Sequence, residues 1–334
     1  MVGCKSLPGR ASDATVPGVD PLKKDKPSNL PASVRQRLMN LANRTRQDFG
    51  LVLTKYALER LLYRLSLSKH RDTFILKGAL LFELWTSQPY RATRDLDLLG
   101  QGDDALDRFR KIFADLCFKM VEDDGLVLLT GSIRVERIRE EEEYAGVRVL
   151  LEARLGSARI PLQIDIGFGD IVTPAAVEVA YPTLLDFPAP HLWAYPQESV
   201  VAEKFEAMVK LGIANSRMKD FYDLYVLSRE FEFDGASLSA AIAATFERRQ
   251  TMLPSSAPLA LTSEFCDTPA KQVQWTAFLK KSGLSSVDSL RDVTTHLQNF
   301  LVPVVVAIHR GESFLLVWHP GGPWSHRPAG SNRK

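Results

Sequence analysis

The sequence has few cysteines and no long apolar segment, and each shortage excludes a class of protein. Only 3 of its 334 residues are cysteine, an odd number without the spacing of a disulfide framework or a zinc site. No apolar run reaches the roughly eighteen residues that a membrane helix needs, and the N-terminus lacks the apolar core of a signal peptide. We therefore expect a soluble protein in the reducing cytoplasm, without a membrane partner.

The chain also lacks a large net charge of either sign. The formal net charge is +2 at pH 7 and 45% of the residues are hydrophobic, which is ordinary for a globular protein. This charge is too small to require a polyanionic partner, although residues 235–334 carry ten Lys/Arg against six Asp/Glu, an excess that permits contact with RNA. The apolar content is enough for one large core or two smaller ones.

The sequence pattern divides the chain into four parts. Residues 1–30 are rich in Gly, Pro, Ser, Asp and Lys, with too few apolar residues to pack, and predict a disordered tail. Residues 31–190 begin with two amphipathic helices and continue with strand-like segments, whereas residues 191–325 are mainly helical. Residues 326–334 form a polar tail. The predicted fold class is α+β, with a mixed β-sheet followed by a helical C-terminal domain.

Three aspartates predict the chemistry of the first domain. Asp95 and Asp97 alternate with leucines, which places both carboxylates on one face of a strand, and Asp165 lies inside a second apolar strand. Ionised carboxylates in apolar strands are costly to bury unless they are paired or bind a metal. Mg²⁺ prefers carboxylate oxygens, and two such ions can neutralise nucleotide phosphates and align an attacking hydroxyl. The pattern indicates a two-metal nucleotidyltransferase site in which all three aspartates bind metal and are catalytic.

A glycine step precedes the first two aspartates. Residues 74–76 predict a short buried strand that ends at Lys77-Gly78 and leads into a helix over residues 79–85. Glycine permits close approach of a phosphate, and the amides and dipole of a helix N-terminus attract it. We expect Lys77, Gly78 and Ala79 to bind the triphosphate of an NTP. Arg94, next to the first aspartate, is expected to neutralise the acidic pair or to contact phosphate.

Other interpretations of these motifs remain open. Asp95 and Asp97 could be exposed residues of an edge strand, or could precede a turn at residues 100–102; the position of Asp165 within a strand favours the metal site. The Gly-Ser step at residues 131–132 predicts a turn, because no Asp-x-Asp follows it. The four glutamates at residues 140–143 predict a solvated acidic turn.

Five short stretches occur in a fixed order, and the similarity that they carry covers roughly residues 35 to 325. They are residues 74–81, 91–98, 181–188, 198–208 and 217–225. Together they resemble the AbiEii/AbiGii family of nucleotidyltransferase-like toxins from bacterial abortive-infection and type IV toxin–antitoxin systems. The resemblance implies a nucleotidyltransferase core followed by a helical C-terminal region. It further implies transfer of a nucleotide from an NTP, in some members to the 3′ end of tRNA, and a cognate antitoxin encoded next to the toxin.

The resemblance also assigns residues in the helical region. Lys204 matches the family's helix lysine near the nucleotide phosphates, and Asp220 matches its later essential acidic residue, so both join the catalytic set. One departure is Gly78-Ala79, where the family often has Gly-Ser or Gly-Gly; the hydroxyl is lost but the backbone donors remain. We expect the protein to act as a monomer.

Without the resemblance, the residues of the helical region also allow other interpretations. Lys204 could be a solvated charge beside a buried apolar stripe. Asp220 and Asp223 share a helix face, and either could form a structural ion pair with Arg217, Lys219 or another basic residue. An alternative function, favoured by Ala79, is an NTP-binding toxin or regulator that sequesters a partner without transfer. A third is a plain RNA-binding module whose affinity falls with salt.

Overall fold

The computed structural model describes residues 29–86, 91–138, 146–284 and 287–327. Residues 1–28 and 328–334, which include most of both predicted tails, and the predicted acidic turn at 140–143 lie outside these ranges. Asn29 and Leu30 belong to the first helix rather than to a tail, because the Asn29 side chain accepts a hydrogen bond from the Ala32 amide at 3.1 Å. No helix in the described part of the chain is both long and apolar enough to cross a membrane.

The secondary structure combines a group of strands with helices before, between and after them. The α-helices are α1 (Leu30–Thr45), α2 (Phe49–Ser66), α3 (Phe82–Trp85), α4 (Leu106–Cys117), α5 (Gln197–Leu211), α6 (Met218–Glu230), α7 (Gly235–Arg248), α8 (Ser263–Cys266), α9 (Pro269–Ser282) and α10 (Leu290–Arg310). The strands are β1 (Phe74–Lys77), β2 (Asp95–Gly100), β3 (Leu126–Ile138), β4 (Gly146–Leu155), β5 (Ala158–Phe168), β6 (Val177–Ala180), β7 (His191–Ala194), β8 (Phe233–Asp234), β9 (Val317–Trp318) and β10 (Trp324–Ser325). The predicted α+β class is confirmed.

A seven-stranded mixed sheet, in the order β3-β4-β5-β2-β1-β7-β6, forms the centre of the first region. The β2–β5 and β1–β7 pairs are parallel, and the other neighbours are antiparallel. The last of its strands in sequence, β7, begins at residue 191, so this sheet extends just past the predicted domain boundary at 190. The metal-site interpretation needs Asp97 and Asp165 on adjacent strands, and the central β2–β5 pair provides that adjacency.

Helix α2 is buried along almost its whole length. It begins at Asp48, whose side chain accepts the Leu51 amide hydrogen at 2.8 Å, and its apolar residues join the core with β5, β7 and α4. Its buried charges are paired, as burial requires: Arg64 binds both oxygens of Asp124 at 2.7 and 3.1 Å. The helix supports the sheet from one face.

The C-terminal region packs α5 against α7 and α10 against α6 and α7. A small sheet, β10-β9-β8, closes it. The Trp318 ring is 1% exposed, and its indole N–H donates to the Ser228 carbonyl at 2.6 Å. The sequence predicted this region to be mainly helical, and helices α5 to α10 agree with that prediction.

One local prediction is wrong and another is confirmed only in outline. Residues 131–132 lie inside strand β3, at a register shift between Leu129 and Arg134, and not in a turn. The Ser132 hydroxyl accepts the Glu152 amide hydrogen at 2.8 Å and donates to the Leu129 carbonyl at 2.6 Å, so the bulge is satisfied within the sheet. The helix predicted over residues 79–85 is a 3₁₀ turn, Gly78–Leu81, followed by the single turn α3.

Candidate active site

Four side chains form a row across adjacent strands of the main sheet. Lys77 on β1 is paired with Asp97 on β2, Asp97 with Asp165 on β5, and Asp165 with Arg148 on β4. Directly paired residues project to the same face of a sheet, and Asp95 is two residues before Asp97 on that face. The structure therefore brings together the three aspartates that the sequence singled out; Asp95, Asp97 and Asp165 are called the acid cluster below.

Two members of the acid cluster lack a compensating donor. Asp95 is exposed and Asp97 is half-buried, and no described residue donates a hydrogen bond to either side chain. Burial raises the pKa of Asp97 to about 6, the charges of Asp165 and Asp95 add to the rise, and Lys219 and Lys77 oppose it. Like charges held close together favour an added cation. Asp95 and Asp97 thus form an electrostatically unbalanced pair.

Asp165 is different, because its carboxylate is already occupied. Arg148 donates from Nε to Oδ1 and from Nη2 to Oδ2, each at 2.8 Å, and Gln163 donates to Oδ2 at 3.0 Å. Sequence reasoning missed Arg148, although the signal was present. A two-residue turn at 156–157 joins β4 to β5 and fixes their register, which pairs 148 with 165.

Gly78 contacts Asp97 so closely that no side chain fits between them. Its φ is +74°, and a Cβ atom at this position would lie 2.0 Å from Asp97 Oδ2. The 3₁₀ turn that begins here has no side-chain cap at its N-terminus. The glycine therefore lies directly against the Asp97 carboxylate. The macrodipole of such a short element is small, so an anion at this turn would depend on individual amides.

Ala79 follows within the same turn and is buried, with 6% of its surface exposed. The missing hydroxyl that distinguishes this chain from Gly-Ser relatives therefore belongs to an interior position. The backbone amide of residue 79 does not depend on its side chain. The structure thus retains the donors that the glycine step was expected to provide.

Lys77 is held in a network on the helical side of the sheet. Its ammonium lies 2.9 Å from Asp170 Oδ2 and 2.9 Å from Glu203 Oε2, and Arg249 also contacts both acids. Although burial lowers the pKa of Lys77, Glu203 and the other acidic groups outweigh it and raise the pKa well above its usual value. The sequence predicted Lys77 as a phosphate ligand; in the structure it joins β1 to α5.

Lys204 and Asp220 are in direct contact, as a shared site would require. Lys204 Nζ lies 2.6 Å from Asp220 Oδ1 and 2.8 Å from Asp223 Oδ2. Arg91 binds both oxygens of Asp223 at 2.7 and 2.9 Å. The sequence left the basic partner of the two aspartates open among Arg217, Lys219 and other basic residues; in the structure Lys204 pairs with both. These four residues, Arg91, Lys204, Asp220 and Asp223, are called the lysine cluster.

Three interactions link the segments of the chain that carry the acid cluster and the lysine cluster. Lys77, paired with Asp97 in the sheet, binds Glu203, which immediately precedes Lys204. Arg91, four residues before Asp95, binds α6 at Asp223. Lys219, exposed at the start of α6, lies within electrostatic reach of Asp97. Lys219 was missed as a neighbour of the acids because only the fold places α6 there.

Arg94 does not neutralise the acidic pair in this structure. Its guanidinium lies 3.4 Å from Asp48 Oδ1 and its side chain is 66% exposed. Two surface depressions of about 390 and 580 Å³ exist elsewhere, and neither is lined by a residue of the acid or lysine cluster.

The available carboxylates limit how a metal ion could bind here. Within the described ranges, no three Asp, Glu, His or Cys side chains converge as a preformed metal site. Mg²⁺ commonly takes one or two carboxylates from the protein and its remaining ligands from phosphate and water. Asp95 and Asp97 fit one such ion. Asp165, engaged by Arg148, does not offer an equivalent carboxylate.

A family model matches more than half of the chain. Residues 60–298 match a family model described as nucleotidyl transferase AbiEii toxin, type IV TA system, a range that contains all the predicted site residues. No curated protein sequence matches the chain. Two solved Helicobacter pylori structures are similar, each at 13% identity over 78% of this chain: JHP933 (92% of that chain, TM-score 0.44) and a candidate nucleotidyltransferase (95%, TM-score 0.42).

Proposed function

Because this chain belongs to the AbiEii family of nucleotidyltransferase toxins of type IV toxin–antitoxin systems, we propose that it transfers a nucleotide from an NTP to an RNA hydroxyl. The 3′ end of tRNA is the proposed acceptor. The observation that supports this most is the Asp95–Asp97 pair, which accepts no hydrogen bond from a described residue and whose Asp97 lies directly against Gly78. A nucleotide phosphate bound by the backbone amides of this turn would lie beside both carboxylates.

The proposed cofactor is Mg²⁺, held by Asp95 and Asp97. When bound, it would neutralise charge on the nucleotide phosphates. Gly78 and Ala79 would bind the triphosphate through their backbone N–H groups. Lys77 would stabilise the start of this turn from behind, through Asp170 and Glu203. The expectation of a second ion depends on Asp165 and is taken further below.

Lys204 is proposed to donate to the nucleotide phosphates. An ammonium has three N–H donors, and Asp220 and Asp223 accept two of them, which leaves one for a phosphate oxygen. The side chain is 15% exposed, so it reaches the surface. Asp220 would then act through Lys204, by fixing the position of the ammonium and keeping it charged.

The proposed partners follow from the family and the reaction. A type IV toxin implies a cognate antitoxin, which we propose is encoded next to this gene. The acceptor RNA would be met in the cytoplasm, and the chain is proposed to act as a monomer. The acid and lysine clusters are both complete within one chain, which supports a monomeric site.

Label transfer tests the proposal. Purified protein is incubated with Mg²⁺, total tRNA and each labelled NTP in turn, beside Asp97→Asn. Asp107→Asn is the matched control, because Asp107 is an aspartate of α4 whose side chain is 81% exposed. We expect transfer with the native chain and Asp107→Asn, and its loss in Asp97→Asn. No transfer with any NTP would contradict the proposal; NTP binding without transfer would favour the sequestering regulator.

A further inference from the structure

The pairing of Asp165 with Arg148 is not explained by the proposed reaction. A carboxylate has about four lone-pair positions, and three donors occupy those of Asp165: Nε and Nη2 of Arg148 and the amide of Gln163. Asp95 and Asp97, on the neighbouring strand, accept no hydrogen bond from a described side chain. Asp165 therefore already has a cationic partner, Arg148, whereas Asp95 and Asp97 have no hydrogen-bonded cation among the described residues.

Arg148 is held firmly where it is. The β4–β5 hairpin pairs nine residues in register, from Val147 with Ile166 to Leu155 with Ala158, so the backbone of Arg148 cannot slide relative to Asp165. Its guanidinium stays charged at all relevant pH values, and two parallel charge-assisted hydrogen bonds fix its orientation. The Arg148 side chain is 32% exposed and that of Asp165 is 20% exposed, so the pair lies at the surface of the site.

We propose that Arg148 takes the place of the second metal ion, so that this site binds one divalent cation, at Asp95 and Asp97. The inference rests on the proposed function, which supplies the nucleotide and the first cation. A guanidinium has five N–H donors, and Asp165 uses two of them. The remaining donors are available to phosphate oxygens on the same face of the sheet, where a second ion would otherwise bind them.

A second dication at Asp165 would be placed against a fixed positive charge. It would have to share the carboxylate with the guanidinium at short range, or displace it and break both hydrogen bonds. Asp95 lies within electrostatic reach of Arg148 as well, since its charge contributes to the raised pKa of the guanidinium after the Asp165 hydrogen bonds. Arg148 therefore acts on the site as a built-in monovalent cation.

Counting bound metal tests the inference. The full-length protein is dialysed against Mn²⁺ with a non-hydrolysable NTP analogue, and protein-bound Mn²⁺ is measured by electron paramagnetic resonance. We expect one Mn²⁺ per native chain, one in Asp165→Asn, and none in Asp97→Asn. Arg148→Gln is expected to bind a second ion, whereas Arg148→Lys, which keeps a charge near Asp165, is expected to stay at one.

The native chain decides the question even if a variant fails to fold. Two Mn²⁺ ions in the native chain, falling to one in Asp165→Asn, would overturn the inference and leave the transferase proposal standing. No bound Mn²⁺ at all, with NTP analogue present, would overturn both. One ion in the native chain without label transfer would support the metal count and contradict the proposed reaction.

Discussion

Replacing Gly78 by alanine should show how tightly the glycine and the Asp97 carboxylate are coupled. The new Cβ would lie 2.0 Å from Oδ2, 2.6 Å from Cγ and 2.7 Å from Cβ of Asp97, so the strand or the side chain must move. Overpacking of this kind costs about 1–3 kcal/mol. The positive φ adds about 1–2 kcal/mol for a residue with a Cβ. Gly78→Ala should therefore lower the free energy of unfolding by roughly 2–5 kcal/mol.

A double-mutant cycle separates the two contributions. In an Asp97→Gly background all three contacts disappear, so Gly78→Ala should cost only the backbone strain of about 1–2 kcal/mol. The four proteins are compared by urea unfolding without nucleotide or metal, which gives a coupling energy directly. We expect a coupling of about 1–3 kcal/mol. Equal costs of Gly78→Ala in both backgrounds would refute the contact between Gly78 and Asp97.

Two further predictions concern buried charges. Asp223→Asn leaves Lys204 and Arg91 without their shared carboxylate and should lower the free energy of unfolding by about 3–5 kcal/mol, measured by urea titration. The control Arg94→Ala breaks an exposed ion pair and should cost less than about 1 kcal/mol in the same titration. Similar losses in the two variants would contradict the buried pairing. Burial raises the pKa of Glu59 from 4.5 to about 7, so the folded state binds the proton of this carboxyl more tightly than the unfolded chain does. As the pH rises from 4.5 to 7, this group should therefore lower the free energy of unfolding by about 2–3 kcal/mol. Glu59→Gln should reduce that slope, and an unchanged pH profile would show that Glu59 does not titrate in this range.

Local sequence patterns predicted the acid cluster because its features are local. Alternation with leucines placed Asp95 and Asp97 on one strand face, and the apolar run around Asp165 marked a second strand. That the two strands are parallel neighbours could not be read from either segment, since β2 and β5 are separated by a helix and two long strands. The resemblance to a family, and not the pattern itself, directed attention to Lys204 and Asp220.

Most of the contacts that the sequence did not predict join residues that are far apart in the chain. Glu203, which binds Lys77, is 126 residues away from it, and no periodicity links the two. Arg148 is an exception, because the two-residue hairpin turn fixes the register of β4 and β5, and that register pairs Arg148 with Asp165. The bulge in β3 was missed because a Gly-Ser step is typical of turns, and only the Ser132 hydrogen bonds show that the strand continues.

The ion pair between Lys77 and Glu203 also limits how such proteins can be recombined. A chain that ended after β7 would keep Asp170 as a partner of Lys77 but would lose Glu203 and Arg249, and the glycine turn would lose its support from the helical side. A helical region taken from a relative would have to carry an acid at the same place on its first helix. The two regions are therefore expected to be inherited together, and chimeras that join them at residue 195 should require a matched lysine and glutamate.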